Sequence, residues 1–135
     1  VPSKVRDAAY RRYQKDPRDT TTPLAMARFL RRLTDGELLK PDSTKFLLNV
    51  MRQTRTGPGR MAAGLIKGCK LAHKTGTSGT WRGVTAATND VGIVWAPDGR
   101  TIAIAAFVAD SKAPASENDQ VIQQLTRAIL DHHWH

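Results

Sequence analysis

The tightest constraint on this chain is a reversal signal set between two segments that both favour strands. Residues 90–95 and 101–110 are rich in Val, Ile, Ala and Thr, and Pro97-Asp98-Gly99 stands between them. Proline presets φ for a turn, aspartate bonds to its own backbone two residues on, and glycine takes up the backbone twist that closes the reversal. The two segments are therefore expected to run antiparallel as neighbours. A third segment of the same character, residues 70–77, gives three strands in meander order with at least one face covered. The last of them contains Ile102-Ala103-Ile104-Ala105-Ala106-Phe107-Val108, with no charge and no proline to protect an open edge. It is expected to be an interior strand, with a neighbour that the chain does not supply.

Helical spacing surrounds these strands. Thr22 can cap a helix whose first position is Pro23, with Leu24, Ala27, Leu30 and Leu33 following at helical intervals, and Asp35-Gly36 ends it. A second helix starts near Asp42 or Ser43 and carries Phe46, Leu47, Val50 and Met51 on one face, until Thr56-Gly57-Pro58-Gly59 breaks it. Residues 117–131 form a last helix with Val121, Ile122, Leu125 and Ile129 on the side that would cover the sheet. Residues 3–15 are polar, basic and weakly helical, and Asp16-Pro17 closes them. The expected layout is a loop region over 1–21, a helical part over 22–56, three strands within 70–110 and a C-terminal helix over 117–131. The fold class is α/β or α+β, an antiparallel sheet of at least three strands packed with helices.

A formal net charge of +9 and a pI near 10.3 favour an anionic partner: nucleic acid, a membrane surface or a carboxylate-bearing small molecule. Arg11, Arg12, Arg31 and Arg32 fall in pairs on helical segments and read as solvated faces, and no nucleic-acid recognition motif accompanies them. No nucleic-acid partner is expected, although a basic nucleic-acid-binding module remains the alternative outside enzymes. The longest apolar run, residues 102–109, is far short of the roughly 20 residues that span a bilayer, so a soluble chain with no membrane partner is expected. Cys69 is the sole cysteine, which rules out an intrachain disulfide and fits a small packed hydrophobe. Asp131, His132, His133 and His135 have metal-ligand chemistry, but they sit at a fraying chain end. Neither a metal nor another cofactor is expected.

Chemistry concentrates in His73-Lys74-Thr75-Gly76-Thr77-Ser78-Gly79, at the end of the first expected strand. Side chains alternate across a strand, so Lys74 and Thr75 can both reach a ligand only if it lies along the edge. Such a ligand would bond to the main chain as an added strand. Gly76 would permit close approach, Thr75 would donate a hydroxyl, Lys74 would supply positive potential, and the Thr77 N–H would meet a developing oxyanion. Ser78 has no base nearby in sequence and reads as a strand-end hydroxyl near the ligand rather than a nucleophile.

The triplet Lys74-Thr75-Gly76 resembles the third motif of penicillin-recognising serine enzymes. The longer string Ala72-His73-Lys74-Thr75-Gly76-Thr77-Ser78-Gly79, followed by Asn89-Asp90, is similar to class A β-lactamases. Asp16-Pro17-Arg18-Asp19-Thr20-Thr21-Thr22-Pro23-Leu24-Ala25-Met26-Ala27 resembles the stretch where that family leaves its Ω-shaped loop for a helix, and Gly36-Glu37-Leu38-Leu39 resembles that helix's end. The likeness runs from about Asp16 through the last helix. It implies a β-lactamase/transpeptidase-like fold of which this chain is the C-terminal portion, a β-lactam substrate, and a periplasmic or secreted location. It also places Arg60 where some class A enzymes hold the β-lactam carboxylate; the plain alternative is a surface arginine after a glycine-rich loop.

The same resemblance exposes gaps. The family's Ser-x-x-Lys nucleophile motif and Ser-Asp-Asn motif do not occur here, and both would precede Val1 in the family's order. The glutamate that activates the deacylating water would fall near Arg6, counting back from Asp19, and no Glu occurs before Glu37. The expectation is part of a serine β-lactamase working through an acyl-enzyme, inactive alone, whose nucleophile lies on an N-terminal segment of the same fold. The alternative within the fold is a non-hydrolysing penicillin-binding or peptidoglycan-sensing protein.

Overall fold

The structure, a computed structural model, describes residues 2–18 and 20–134, and the side chains of all of these except Trp134. Its elements run α1 (Ser3–Tyr13), α2 (Pro23–Thr34), α3 (Pro41–Arg52), α4 (Met61–Gly64), β1 (Lys70–Thr77), β2 (Thr80–Trp81), β3 (Val84–Trp95), β4 (Thr101–Ser111) and α5 (Ala115–Trp134).

The reversal at Pro97-Asp98-Gly99 does what its residues favour. Ala96 N–H donates to Arg100 O at 2.9 Å, and Gly99 takes φ +88°. β3 is thereby the middle strand, antiparallel to β4 from Trp95↔Thr101 to Thr85↔Ser111, and antiparallel to β1 from Lys70↔Trp95 to Thr77↔Thr88. The two-residue β2 pairs with β3 beyond the end of β1, through Thr80↔Thr85 and Trp81↔Val84. Among the described residues β4 has β3 as its sole strand neighbour.

Alternation along β3 divides the core. Ile93 packs with Leu30, Leu33, Met51 and Ala72 beneath α2 and α3, while Val94 packs with Met61, Ile104, Ala106, Ile122 and Leu130 beneath α4 and α5. Both faces of the sheet are therefore covered by helices, and each fully buried aliphatic side chain contributes roughly 1.5 to 3 kcal/mol. The α2 start follows its local signals: Thr22 Oγ1 accepts from Ala25 N–H at 3.1 Å and Pro23 occupies the first turn.

Several expectations need correction. The opening region is not loop throughout, because residues 3–13 contain no proline or glycine and form α1. Its Asp7, Tyr10 and Gln14 recur at three- and four-residue spacing and dock on the sheet. Tyr10 Oη donates to Val84 O at 2.8 Å, Trp81 Nε1 donates to Asp7 at 2.6 Å, Arg82 pairs with Asp7 at 2.6 Å, and Gln14 donates to Asp110 at 2.6 Å. α3 starts at Pro41, close to the expected Asp42 or Ser43, but its apolar face differs. Its inward stripe is Thr44, Leu47, Leu48 and Met51, which leaves Phe46 70% and Val50 50% exposed. The expected face was rotated by the direction from which β1 and α2 meet the helix. On α5, Ile122, Thr126 and Leu130 are buried, while Val121 and Leu125 face outward. The element α4 and strand β2 were not anticipated, since four and two residues carry no readable period.

Gly92 is the tightest point of the β1–β3 pairing. A Cβ there would meet Ala72 O and His73 Cβ, each at 2.7 Å, inside a backbone ladder that cannot yield cheaply. Gly92→Ala should destabilise the fold by about 1 to 3 kcal/mol, the usual cost of overpacking. Urea unfolding checks this, and an unchanged midpoint would show that the two strands are not this close.

Candidate functional site

The site is the outer edge of β1. Ser78 N–H donates to Ala87 O at 2.9 Å, continuing the β1–β3 register, so even-numbered residues of β1 turn their main-chain groups toward β3. Odd-numbered residues turn theirs outward. Thr54 Oγ1 confirms this parity by donating to His73 O at 2.6 Å from outside the sheet. The main-chain N–H and C=O of Thr75 and Thr77 consequently face away from β3.

Side chains obey the other alternation. Ala72 packs under α2 and α3, which puts Lys74 and Gly76 on that face, while His73, Thr75 and Thr77 belong to the face of α4. Lys74 is exposed, and its Nζ folds onto the outward Thr75 O at 2.5 Å. Gly76 is exposed too, and a Cβ there would come no nearer than 3.9 Å to Asn89 Cβ. Packing within the chain does not require glycine at this position; its effect is to leave the edge bare. Ser78 sits at the bend, its hydroxyl donating to Gly79 O at 3.1 Å and accepting from Ala87 N–H at 3.0 Å.

Arg60 joins this edge from a loop. It is the residue before α4 and only 7% exposed, yet its guanidinium spends its donors on four partners. Nη2 donates to Thr77 Oγ1 at 2.8 Å, Nη1 to Asn89 O at 3.0 Å and Gly76 O at 3.3 Å, and Nε to Asp119 at 2.6 Å. A buried guanidinium needs such a carboxylate, since an unpaired charge there would be costly. Asp119 comes from the start of α5, so that helix anchors the arginine while the arginine braces the strand edge.

Beneath the edge lies a second polar pair. His73 Nδ1 is 2.8 Å from Asp90 Oδ1, and the other Asp90 oxygen accepts from Met61 N–H at 3.2 Å. Asp90 is fully buried, so these bonds hold β1, β3 and the start of α4 in one arrangement. The loop from α3 to α4 adds Thr56, whose Oγ1 is 2.6 Å from Thr75 Oγ1.

Of the residues singled out in the sequence, Arg60 meets Gly76 and Thr77 next to Thr75, while Lys74 lies on the other face of β1 and Ser78 at its end. Thr54, Thr56, Asp119 and the His73–Asp90 pair were missed. An acid in an otherwise apolar strand is a signal for Asp90, whereas nothing local marks Asp119, which is 59 positions from Arg60. At the chain's end, no group of three or more metal-ligating side chains occurs among the described residues; His135 and Asp19 lie outside them.

The edge therefore carries outward main-chain groups, the hydroxyls of Thr75 and Thr77, and two cations, the buried Arg60 and the exposed Lys74. The family model described as the beta-lactamase enzyme family matches residues 2–133, and the chain belongs to that family. It is 39% identical over 114 residues to beta-lactamase VEB-1 of Pseudomonas aeruginosa, covering 83% of this chain and 38% of the relative. Extended-spectrum beta-lactamase PER-1 of the same organism is 40% identical over 107 residues, or 79% of this chain and 35% of the relative. Among solved structures, the TLA-3 extended-spectrum beta-lactamase superposes with a TM-score of 0.81 at 41% identity, covering 84% of this chain and 42% of its own. A beta-lactamase from Chitinophaga pinensis gives 0.80 at 42% identity, with the same coverage of 84% and 42%. The chain therefore spans about two-fifths of the length of these relatives. The fold class expected from the sequence is the one these neighbours share.

Because His73 hydrogen-bonds the buried Asp90, His73→Ala should cost about 1 to 3 kcal/mol of stability, as leaving a buried polar group without one of its partners does. Chemical denaturation tests it; an unaltered unfolding free energy would mean that Asp90 does not depend on His73.

Proposed function

We propose that this chain supplies the substrate-binding strand of a serine β-lactamase that hydrolyses the β-lactam amide through an acyl-enzyme, with the nucleophile on an N-terminal segment of the same fold. The observation that carries this reading is the bond from buried Arg60 to Thr77 Oγ1, which brings an arginine to the outward-facing main chain of Thr75 and Thr77. The β-lactam would lie along Thr75–Thr77 as an added strand. Its carbonyl oxygen would take the Thr77 N–H as charge develops, its carboxylate would meet the hydroxyls of Thr75 and Thr77, and Lys74 with Arg60 would set the positive potential. The nucleophile's oxygen would then form an ester at the lactam carbonyl while the C–N bond breaks and the nitrogen takes up a proton.

A partner segment is supported by two features of the surface. β4 presents an unprotected apolar strand whose sole neighbour among the described residues is β3, and Leu24, Phe29, Phe46, Val50, Val121 and Leu125 expose large side chains on the helices. An N-terminal segment pairing with β4 would cover that edge. No cofactor, nucleic acid or membrane enters this reading, and no helix among the described residues is long and apolar enough to cross a membrane. A periplasmic or secreted location is what the family resemblance implies.

A non-hydrolysing penicillin-binding protein is the second reading, and α1 favours it. Arg6, near which the resemblance would place the water-activating glutamate, lies over the Trp81 ring at 4.4 Å. Asp7 is committed to Trp81 and Arg82, and Arg18 beside Asp16 holds that carboxyl below the usual carboxylate range. Neither acid is a free base for water.

Residues 1–135 alone should neither hydrolyse a chromogenic cephalosporin nor form a penicillin adduct by mass spectrometry. Combined with the N-terminal segment of the parent polypeptide they should acylate, and Arg60→Ala should slow acylation on the order of tenfold or more, as loss of a charge-assisted contact implies. An adduct on Ser78 or another residue of this chain would overturn the proposal, and unchanged kinetics would remove Arg60 from the site. A persistent adduct without turnover would select the second reading.

A further inference from the structure

The two hydroxyls on the open edge are each met from behind, and the two contacts differ in what they oblige. Arg60 has donors and no acceptor, so its bond to Thr77 Oγ1 leaves the Thr77 hydroxyl hydrogen free to point outward. Thr75 has no such cation. Its Oγ1 lies 2.6 Å from Thr56 Oγ1, and its methyl is pressed against Gly57, where a Cβ would meet Thr75 Cγ2 at 2.8 Å. Gly57 takes φ +58°, a backbone conformation suited to glycine, and this close approach sets Thr56 directly beside Thr75.

We propose that Thr56 is a positioning residue: it donates its hydroxyl hydrogen to Thr75 Oγ1, holds the Thr75 side chain in one rotamer, and turns the Thr75 hydroxyl hydrogen toward the ligand carboxylate. Thr75 and Thr77 then form a matched pair of outward donors, one oriented by an arginine and the other by a threonine. The donor chain from Thr56 through Thr75 to an anion strengthens each bond in turn. A carboxylate, with two acceptor oxygens, fits such a pair. The ligand's part in this rests on the β-lactam reading above; the orientation of Thr75 does not.

Two measurements separate the two. In residues 1–135, three-bond couplings to the Thr75 methyl should report one χ1 rotamer, averaging in Thr56→Val, which keeps the shape without the hydroxyl, and restored in Thr56→Ser. If the rotamer is already averaged in the parent chain, or stays fixed in Thr56→Val, Thr56 does not position Thr75, whatever the protein's activity. In the chain combined with its N-terminal segment, Thr56→Val should weaken the apparent affinity for benzylpenicillin by about fivefold, the scale of one hydrogen bond, and leave the limiting acylation rate unchanged. Thr75→Val should cost at least as much, and adding Thr56→Val to it should cost nothing further. Additive losses in the double variant would overturn the proposal, since Thr56 would then act without Thr75. If the combined protein never acylates, the β-lactam reading fails and the coupling measurement alone decides the role of Thr56.

Discussion

A single buried carboxylate holds this architecture in register. Asp90 stands on the middle strand with no exposure to water, and it is tolerated there because one oxygen bonds His73 on β1 and the other accepts the Met61 N–H at the start of α4. Each bond places something the site needs. The first fixes the residue next to Lys74, and the second fixes the residue next to Arg60. Both cations of the edge thus stand next to residues held by one acid, and Thr54, Thr56 and Asp119 brace the strand and the arginine further.

The edge works because two alternations run through it at once. Main-chain groups of Thr75 and Thr77 face outward, while their side chains share the α4 face with Arg60, and Lys74 reaches the edge from the opposite face. Charge is distributed with the same economy. Arg60 is buried, balanced by Asp119 and held by fixed hydrogen bonds, whereas Lys74 is exposed. The chain as a whole carries a net charge of +9, which favours an anionic partner without choosing which one.

Local chemistry was readable in the sequence, and long-range chemistry was not. The Pro97-Asp98-Gly99 reversal, the Thr22 cap and the bounds of β1 depend on residues within a few positions, and the structure has them where the sequence put them. The helix α1 docks on Trp81, Val84 and Asp110, and the helical spacing of Asp7, Tyr10 and Gln14 does not by itself say which distant residues will meet them. The faces of α3 and α5 were misjudged for a related reason. Apolar residues occupy more than half a turn of each helix, so the stripe that goes inward is chosen by the approach of the sheet rather than by hydrophobicity. Asp119 and Thr56 look like ordinary surface residues until the fold sets them against Arg60 and Thr75.

The central claim is that β1 keeps an open outer edge at Thr75 and Thr77, and amide hydrogen exchange along β1 tests it most directly. The inward amides of Lys74 and Gly76 should be strongly protected and the outward amides of Thr75 and Thr77 should exchange rapidly, an alternation that follows from their bonding to β3 or to nothing in the ladder. Equal, strong protection of all four amides in the ligand-free chain would contradict the account, because the edge would already be paired.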